Sequence, residues 1–243
     1  MLDDQRPGTI YWIDHYVIPT EDIDRFEEFH INVLGARTQP TSPERRRQTG
    51  IFQDLAAPCH LGGFVQKQPV PPSAGLGKGL PRNGHFIRQQ DIDDHLRRLD
   101  ANHANHTDPV RTSAEGDEGI SILWEDPDGN QFEFWAPDRL PEGAMGEETS
   151  TKVGRISHGV FESRDLQRTA DFFSRYCALE PLRNSDIPSD TLVLPLAAGG
   201  RLVFKKVDTL GERTSGFGKL NACHAALVVR DEDFVPSYQK MFA

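Results

Sequence analysis

Four stretches of the chain open alike: a short apolar run containing a histidine, then an acidic residue, then hydrophobic positions three or four residues apart. The openings are Ile13-Asp14-His15-Tyr16-Val17-Ile18, Asn83-Gly84-His85-Phe86-Ile87, Ile156-Ser157-His158-Gly159-Val160-Phe161 and Ala222-Cys223-His224-Ala225-Ala226-Leu227. Their histidines stand 70, 73 and 66 positions apart, a period that fits one supersecondary unit, so the chain reads as tandem repeats. Asp22, Asp91, Asp165 and Asp231 follow the histidines, and such a carboxylate can accept from the orphan N–H groups of a first helical turn. Behind them run the stripes Ile23, Phe26, His30, Val33; Ile92, Leu96, Leu99; Leu166, Ala170, Phe173, Cys177; and Phe234, Tyr238, Met241. That spacing predicts helices with one face on a core, so each unit begins strand then helix.

Extended runs come next. The first unit offers Gly50 to Leu55 and Leu61 to Gln66, and the third repeats them as Thr191 to Leu196 and Arg201 to Lys205. The second closes with Ile120 to Trp124, a Glu125-Asp126-Pro127-Asp128-Gly129-Asn130 turn and Gln131 to Trp135. Proline fixing φ and glycine accepting positive φ make this a β-hairpin. Gln68 to Gly79 and Ala136 to Thr151, rich in Gly, Pro and polar residues, read as linkers. The expectation is an α+β chain of βαβββ modules paired into two cupped-sheet domains. Residues 1–140 would hold modules at about 8–67 and 82–137, and residues 152–243 a third module with the start of a fourth. The sequence ends at Ala243 before another hairpin, so an open sheet edge is expected, to be covered by another copy of the chain or by further residues.

Composition narrows the partners. With 37 acidic against 27 basic side chains the net charge is −10, which disfavours nucleic acid and anionic lipid. The basic cluster Arg45-Arg46-Arg47 is short and reads as a solvated loop. No apolar run approaches bilayer length, and the start lacks a secretory pattern, so a cytoplasmic protein is expected. Cys59, Cys177 and Cys223 form no CxxC pair and read as small core residues.

A strand-helix-strand-strand-strand unit repeated in pairs resembles the vicinal oxygen chelate superfamily, which includes glyoxalase I, bleomycin-resistance proteins, fosfomycin-resistance enzymes and type I extradiol dioxygenases. The resemblance rests on the histidine of each first strand, the Val33-Leu34-Gly35 helix end and the Asp126 to Trp135 hairpin. It implies a cup that holds one divalent metal between His15, His85 and Glu133, with Fe(II) expected and Mn, Ni or Zn as alternatives. Two imidazoles and one carboxylate on one face of an ion leave positions open for a substrate and dioxygen. The implied activity is extradiol-type cleavage of an aromatic substrate with vicinal oxygens, and His60, which opens the fourth strand of unit one, is the candidate substitute for the family's acid/base group. The tyrosine and histidine of the extradiol signature are missing here: Leu123 stands where the tyrosine would fall, and no histidine lies around Ala114 to Gly116. A glyoxalase-type isomerase or lyase, with Gln66 as a fourth ligand, is the alternative. A metal-free binding protein lined by Trp12, Phe52, Phe64, Trp124 and Trp135 is the third possibility. Some family members pair modules one and four, which would set His15 beside His224 rather than His85; His158 and His224 are a further pair.

Overall fold

The computed structural model describes residues 10–44, 50–55, 59–65, 69–113, 117–145, 152–183, 185–211 and 224–242. The Arg45-Arg46-Arg47 cluster, Gln66, Ala114 to Gly116 and Cys223 lie outside them. The first unit contributes β1 (Ile10–Thr20), α1 (Ile23–Leu34), β2 (Arg37–Thr38), β3 (Ile51–Asp54) and β4 (His60–Val65). The second contributes β5 (Arg82–Phe86), α2 (Ile92–Ala101), β6 (Val110–Thr112), β7 (Gly119–Glu125) and β8 (Gln131–Pro137). The third gives β9 (Ile156–Ser163), α3 (Leu166–Cys177), β10 (Thr191–Pro195) and β11 (Arg201–Lys206), and the fourth gives β12 (His224–Val229) and α4 (Asp231–Phe242). The mixed α+β architecture of repeated modules agrees with the sequence pattern; β2 and β6 were too short for it to mark.

The grouping of the units differs from the expected halves. One sheet has the order β12-β1-β4-β3-β2 and the other β10-β11-β9-β5-β8-β7-β6. Unit one therefore pairs with the strand of unit four, and unit two pairs with unit three through antiparallel β5 and β9. Both first and last strands of these units run parallel: β1 with β4, β5 with β8, β9 with β11. Strand partners remote in sequence leave no local trace, so adjacency along the chain was a poor guide to the pairing.

Local chemistry accounts for the elements. Asp22 Oδ1 accepts from the N–H groups of Asp24 and Arg25, and Gly35 ends α1 at φ 69°. Asp165 caps α3 through the Arg168 N–H. Asp91 does not cap; it sits in a 3-10 turn and takes Lys152 Nζ at 2.9 Å instead. The core lies where α1 and α2 meet the inner faces of the sheets. Trp124 stacks on Phe132 with centroids 4.3 Å apart, Phe29 of α1 meets Trp124 at 6.0 Å, and His95 of α2 meets Phe134 at 4.7 Å. Gly63 lets α1 approach β4, since a Cβ there would meet the Phe26 ring at 2.6 Å. Cys59 and Cys177 are both buried, as expected of small core residues. In α4, Phe234 is 59% exposed, so that part of the expected fourth stripe does not face a core.

The hairpin turn does more than reverse the chain. Asp128 Oδ2 accepts from Thr20 Oγ1 at 2.6 Å, and its Oδ1 accepts from Arg25 Nη2 at 2.6 Å and the Glu21 N–H at 3.3 Å. Asn130 Nδ2 donates to the Pro19 carbonyl at 2.9 Å. The second unit's turn is thereby bolted to the junction of β1 and α1, tying the two sheets together. The Asp128 side chain is 2% exposed, whereas Arg25 is 45% exposed and Thr20 Oγ1 also donates to the Asp22 carbonyl, so its removal costs the bolt without stranding either partner. Asp128→Ala is expected to lower unfolding stability by about 1–2 kcal/mol, read by urea denaturation, with Asp128→Asn recovering part of the loss.

Candidate functional site

Each sheet has a face turned away from its helices, and strand alternation decides which side chains reach it. In the five-stranded sheet that face carries His15 and His60, directly paired across β1 and β4, with Gly62 beside Val17 and Asp54 beside His60. A register irregularity between Ile13 and His15 brings Asp14 to the same place. Asp14 Oδ2 lies 2.6 Å from His15 Nδ1 and 3.7 Å from His60 Nδ1, and His60 Nε2 lies 3.4 Å from Asp54 Oδ1. Asp14, His15 and His60 each bring one ligand atom within 4.8 Å of the others. Phe52 stands edge-on to the His15 ring at 5.6 Å.

From the other side of β1 comes His224 on β12, whose Nε2 is 3.1 Å from His15 Nε2. The Asp14 carboxylate can accept only a proton-bearing nitrogen, so it sets His15 as the Nδ1–H tautomer and leaves the Nε2 lone pair facing His224. Two nitrogens bound to one ion at about 2.1 Å lie about 3.0 Å apart at a right angle and about 3.4 Å apart at the tetrahedral angle. The separation of 3.1 Å falls inside that interval. The facing nitrogens of His15 and His224 thus stand at a separation that suits two ligands of one divalent cation, and Asp14, His15 and His60 form a second grouping of donor atoms beside them.

The seven-stranded sheet presents a different arrangement at the matching register. Gly84 pairs with both Glu133 and His158, and His158 pairs with Arg201. Glu133 Oε2 accepts from His158 Nε2 at 3.1 Å and forms an ion pair with Arg82, whose Nε lies 2.9 Å away. Burial alone would raise the Glu133 carboxyl, but the Arg82 guanidinium and His158 outweigh it and hold the group well below the usual carboxylate range. A guanidinium already occupies the place beside this carboxylate where a cation would sit.

The expected ligand set is therefore not assembled. His15 lies in one sheet and Glu133 in the other. His85 is in the same sheet as Glu133 but on the opposite face, among the core aromatics, 6.3 Å from Phe132. The period-two alternation explains the displacement: Arg82, Gly84 and Phe86 share the face of Glu133, so the histidine is one residue out of register. The glycine makes room for its neighbour, since a Cβ at Gly84 would run into the His158 ring. Arg82 and His158 belong to the Glu133 cluster and were not expected there; counting back by two from Gly84 along β5 would have found Arg82. Of the aromatics, Phe52 reaches His15, whereas Trp124 is fully buried in the core and Trp135 lines the other cup.

The model of the glyoxalase/bleomycin resistance protein/dioxygenase superfamily matches residues 12–134, and the chain belongs to that superfamily. A Bacillus subtilis subsp. subtilis str. 168 protein described as a "putative dioxygenase" has a similar structure, with TM-score 0.67 and 16% identity over 98% of this chain and 76% of its own. Glyoxalase I from Zea mays is similar at TM-score 0.56 and 16% identity, over 80% of this chain and 67% of its own. No curated protein matches by sequence. Among the described residues no helix is long and apolar enough to cross a membrane.

Burial, first, with His158 and His30 next, pushes the His85 imidazolium down to about 3, and burial pushes His30 down to about 4. Both rings are neutral when folded, while the unfolded chain takes up their protons below about 6.5. Their contribution is complete above that pH and is lost as the pH falls toward 3 to 4. His85→Leu is expected to flatten the fall of stability between pH 6.5 and 4 by up to about 1.4 kcal/mol per pH unit, measured by denaturation at each pH. Asp126, raised by burial to about 7, titrates with the opposite sign, so the quantity to read is the difference between variant and parent.

Proposed function

We propose that the chain is a divalent-metal-dependent enzyme of the extradiol-dioxygenase type, acting on an aromatic substrate with vicinal oxygens at the cup of the five-stranded sheet. The observation that carries this reading is the approach of His15 Nε2 and His224 Nε2 to 3.1 Å beneath a carboxylate that fixes one tautomer. His15 and His224 would hold the ion, with Fe(II) the expected metal and Mn, Ni or Zn the alternatives. When bound, such an ion binds vicinal oxygens, lowers the cost of ionising them and offers an open position for dioxygen.

The chain's own residues supply the rest. Asp14 orients His15 by taking its Nδ1–H, which makes Nε2 the ligating nitrogen of the neutral ring. His60, directly across from His15 and 34% exposed, stands between Asp14 and Asp54 and is placed to take a proton from a substrate hydroxyl and return it. Phe52 gives an aromatic ring an apolar wall beside the ion. Glu133 has no part in this centre, and His85 has a structural role.

Metal analysis of anaerobically purified protein should return about one iron per chain, lost in His15→Ala and His224→Ala and retained in His85→Leu. Oxygen uptake with a catechol panel should fall by about 10²–10⁴ in His60→Gln with the iron kept. Stoichiometric nickel or zinc without oxygen uptake would favour the isomerase instead. Iron lost in His85→Leu but kept in His224→Ala would remove this site altogether.

A further inference from the structure

The cup of the seven-stranded sheet, which the proposed metal chemistry does not use, encloses a cavity of about 400 Å³, within the range of small-molecule sites. Three cations line it, Arg82, Arg201 and Lys205, against one acid, Glu133. On a chain with net charge −10, this concentration of positive charge runs against the average surface and focuses the local field inward.

Register puts the cations there. Arg82 is held to Glu133 at 2.9 Å on β5. Arg201 lies across β9 from it, its guanidinium over the Trp135 ring at 5.0 Å and its Nη1 2.7 Å from Asp117 Oδ2, a carboxylate at the exposed rim. Lys205, on the same strand, donates to the neutral Thr191 Oγ1 at 3.0 Å. Glu162, paired with Lys205 across β9, accepts instead from the Gly211 N–H at 2.8 Å. Trp135 and Leu123 add apolar wall, and Ser121 and Thr112 add hydroxyls.

We propose that this cavity binds a small carboxylic acid with a flat apolar body, its carboxylate drawn to the cations of β5 and β11 and its body lying along Trp135 and Leu123. A planar guanidinium backed by an aromatic ring matches a planar carboxylate. The Glu133 carboxylate in the same wall opposes a doubly charged anion such as phosphate, and the apolar wall favours an organic body over an inorganic ion.

Calorimetric titration of the whole chain with benzoate, its neutral isostere benzamide and inorganic phosphate tests the assignment. Benzoate should bind at least tenfold more tightly than either of the others. Lys205→Gln and Arg201→Gln should each weaken it at least fivefold, with folding checked by circular dichroism, while His15→Ala leaves it unchanged. Equal binding of benzoate and benzamide, phosphate binding as tight as benzoate, or no benzoate binding at all would overturn the proposal. So would unchanged affinity in Lys205→Gln, or loss of benzoate in His15→Ala, which would move the ligand to the other cup. The proposed metal chemistry fails or stands separately, on iron content.

Discussion

The parallel pairing of each unit's first strand with its own last strand fixes which side chains share a cup. His15 meets His60, Gly84 meets Glu133 and His158 meets Arg201 because the same two strands pair in each unit. Side chains in a sheet alternate with a period of two, so one residue of slip moves a group from cup to core. The chemistry of both cups is set by what occupies these few registered positions. The scaffold around them changes little from unit to unit.

The two cups use that scaffold in opposite electrical senses. In one, Asp14 and Asp54 stand beside imidazoles, and the His15 and His224 ring nitrogens face each other. In the other, the carboxylate at the registered position is met by Arg82 and His158, and the wall beyond carries Arg201 and Lys205. A divalent ion beside Arg82 would meet a fixed positive charge in a buried setting where screening is weak. The same fold thus carries one cup lined by imidazoles and carboxylates and another whose cavity is lined by two arginines and a lysine.

Much of this was legible from the residues alone. The repeat, the helix stripes, the caps at Asp22 and Asp165 and the hairpin around Asp128 all rest on local physics, in which neighbours in sequence are neighbours in space. The facing of Glu133 into the cup also followed, because Phe132 and Phe134 on either side of it belong to the core. The pairing of unit one with unit four did not follow, since contacts between β1 and β12 span more than 200 residues of chain and no local pattern encodes them. His85 misled for another reason. A histidine one position away from a glycine draws the eye to the ring, whereas the cup needed the empty place at Gly84 for His158 to cross.

The position of the buried histidines follows from the same alternation. His30 and His85 sit on core faces, and burial keeps both rings neutral. For His30 the cost is offset by contacts: its Nδ1 donates to the Phe26 carbonyl at 2.8 Å while its ring meets Phe26, Phe29 and Phe132. His15, by contrast, is held at the sheet's open face by Asp14, where its outer nitrogen is accessible and its tautomer is set. Identical side chains, a single residue apart in register, become core packing in one unit and a cup-facing group in another. The histidine itself carries no function until the pleat has chosen its face.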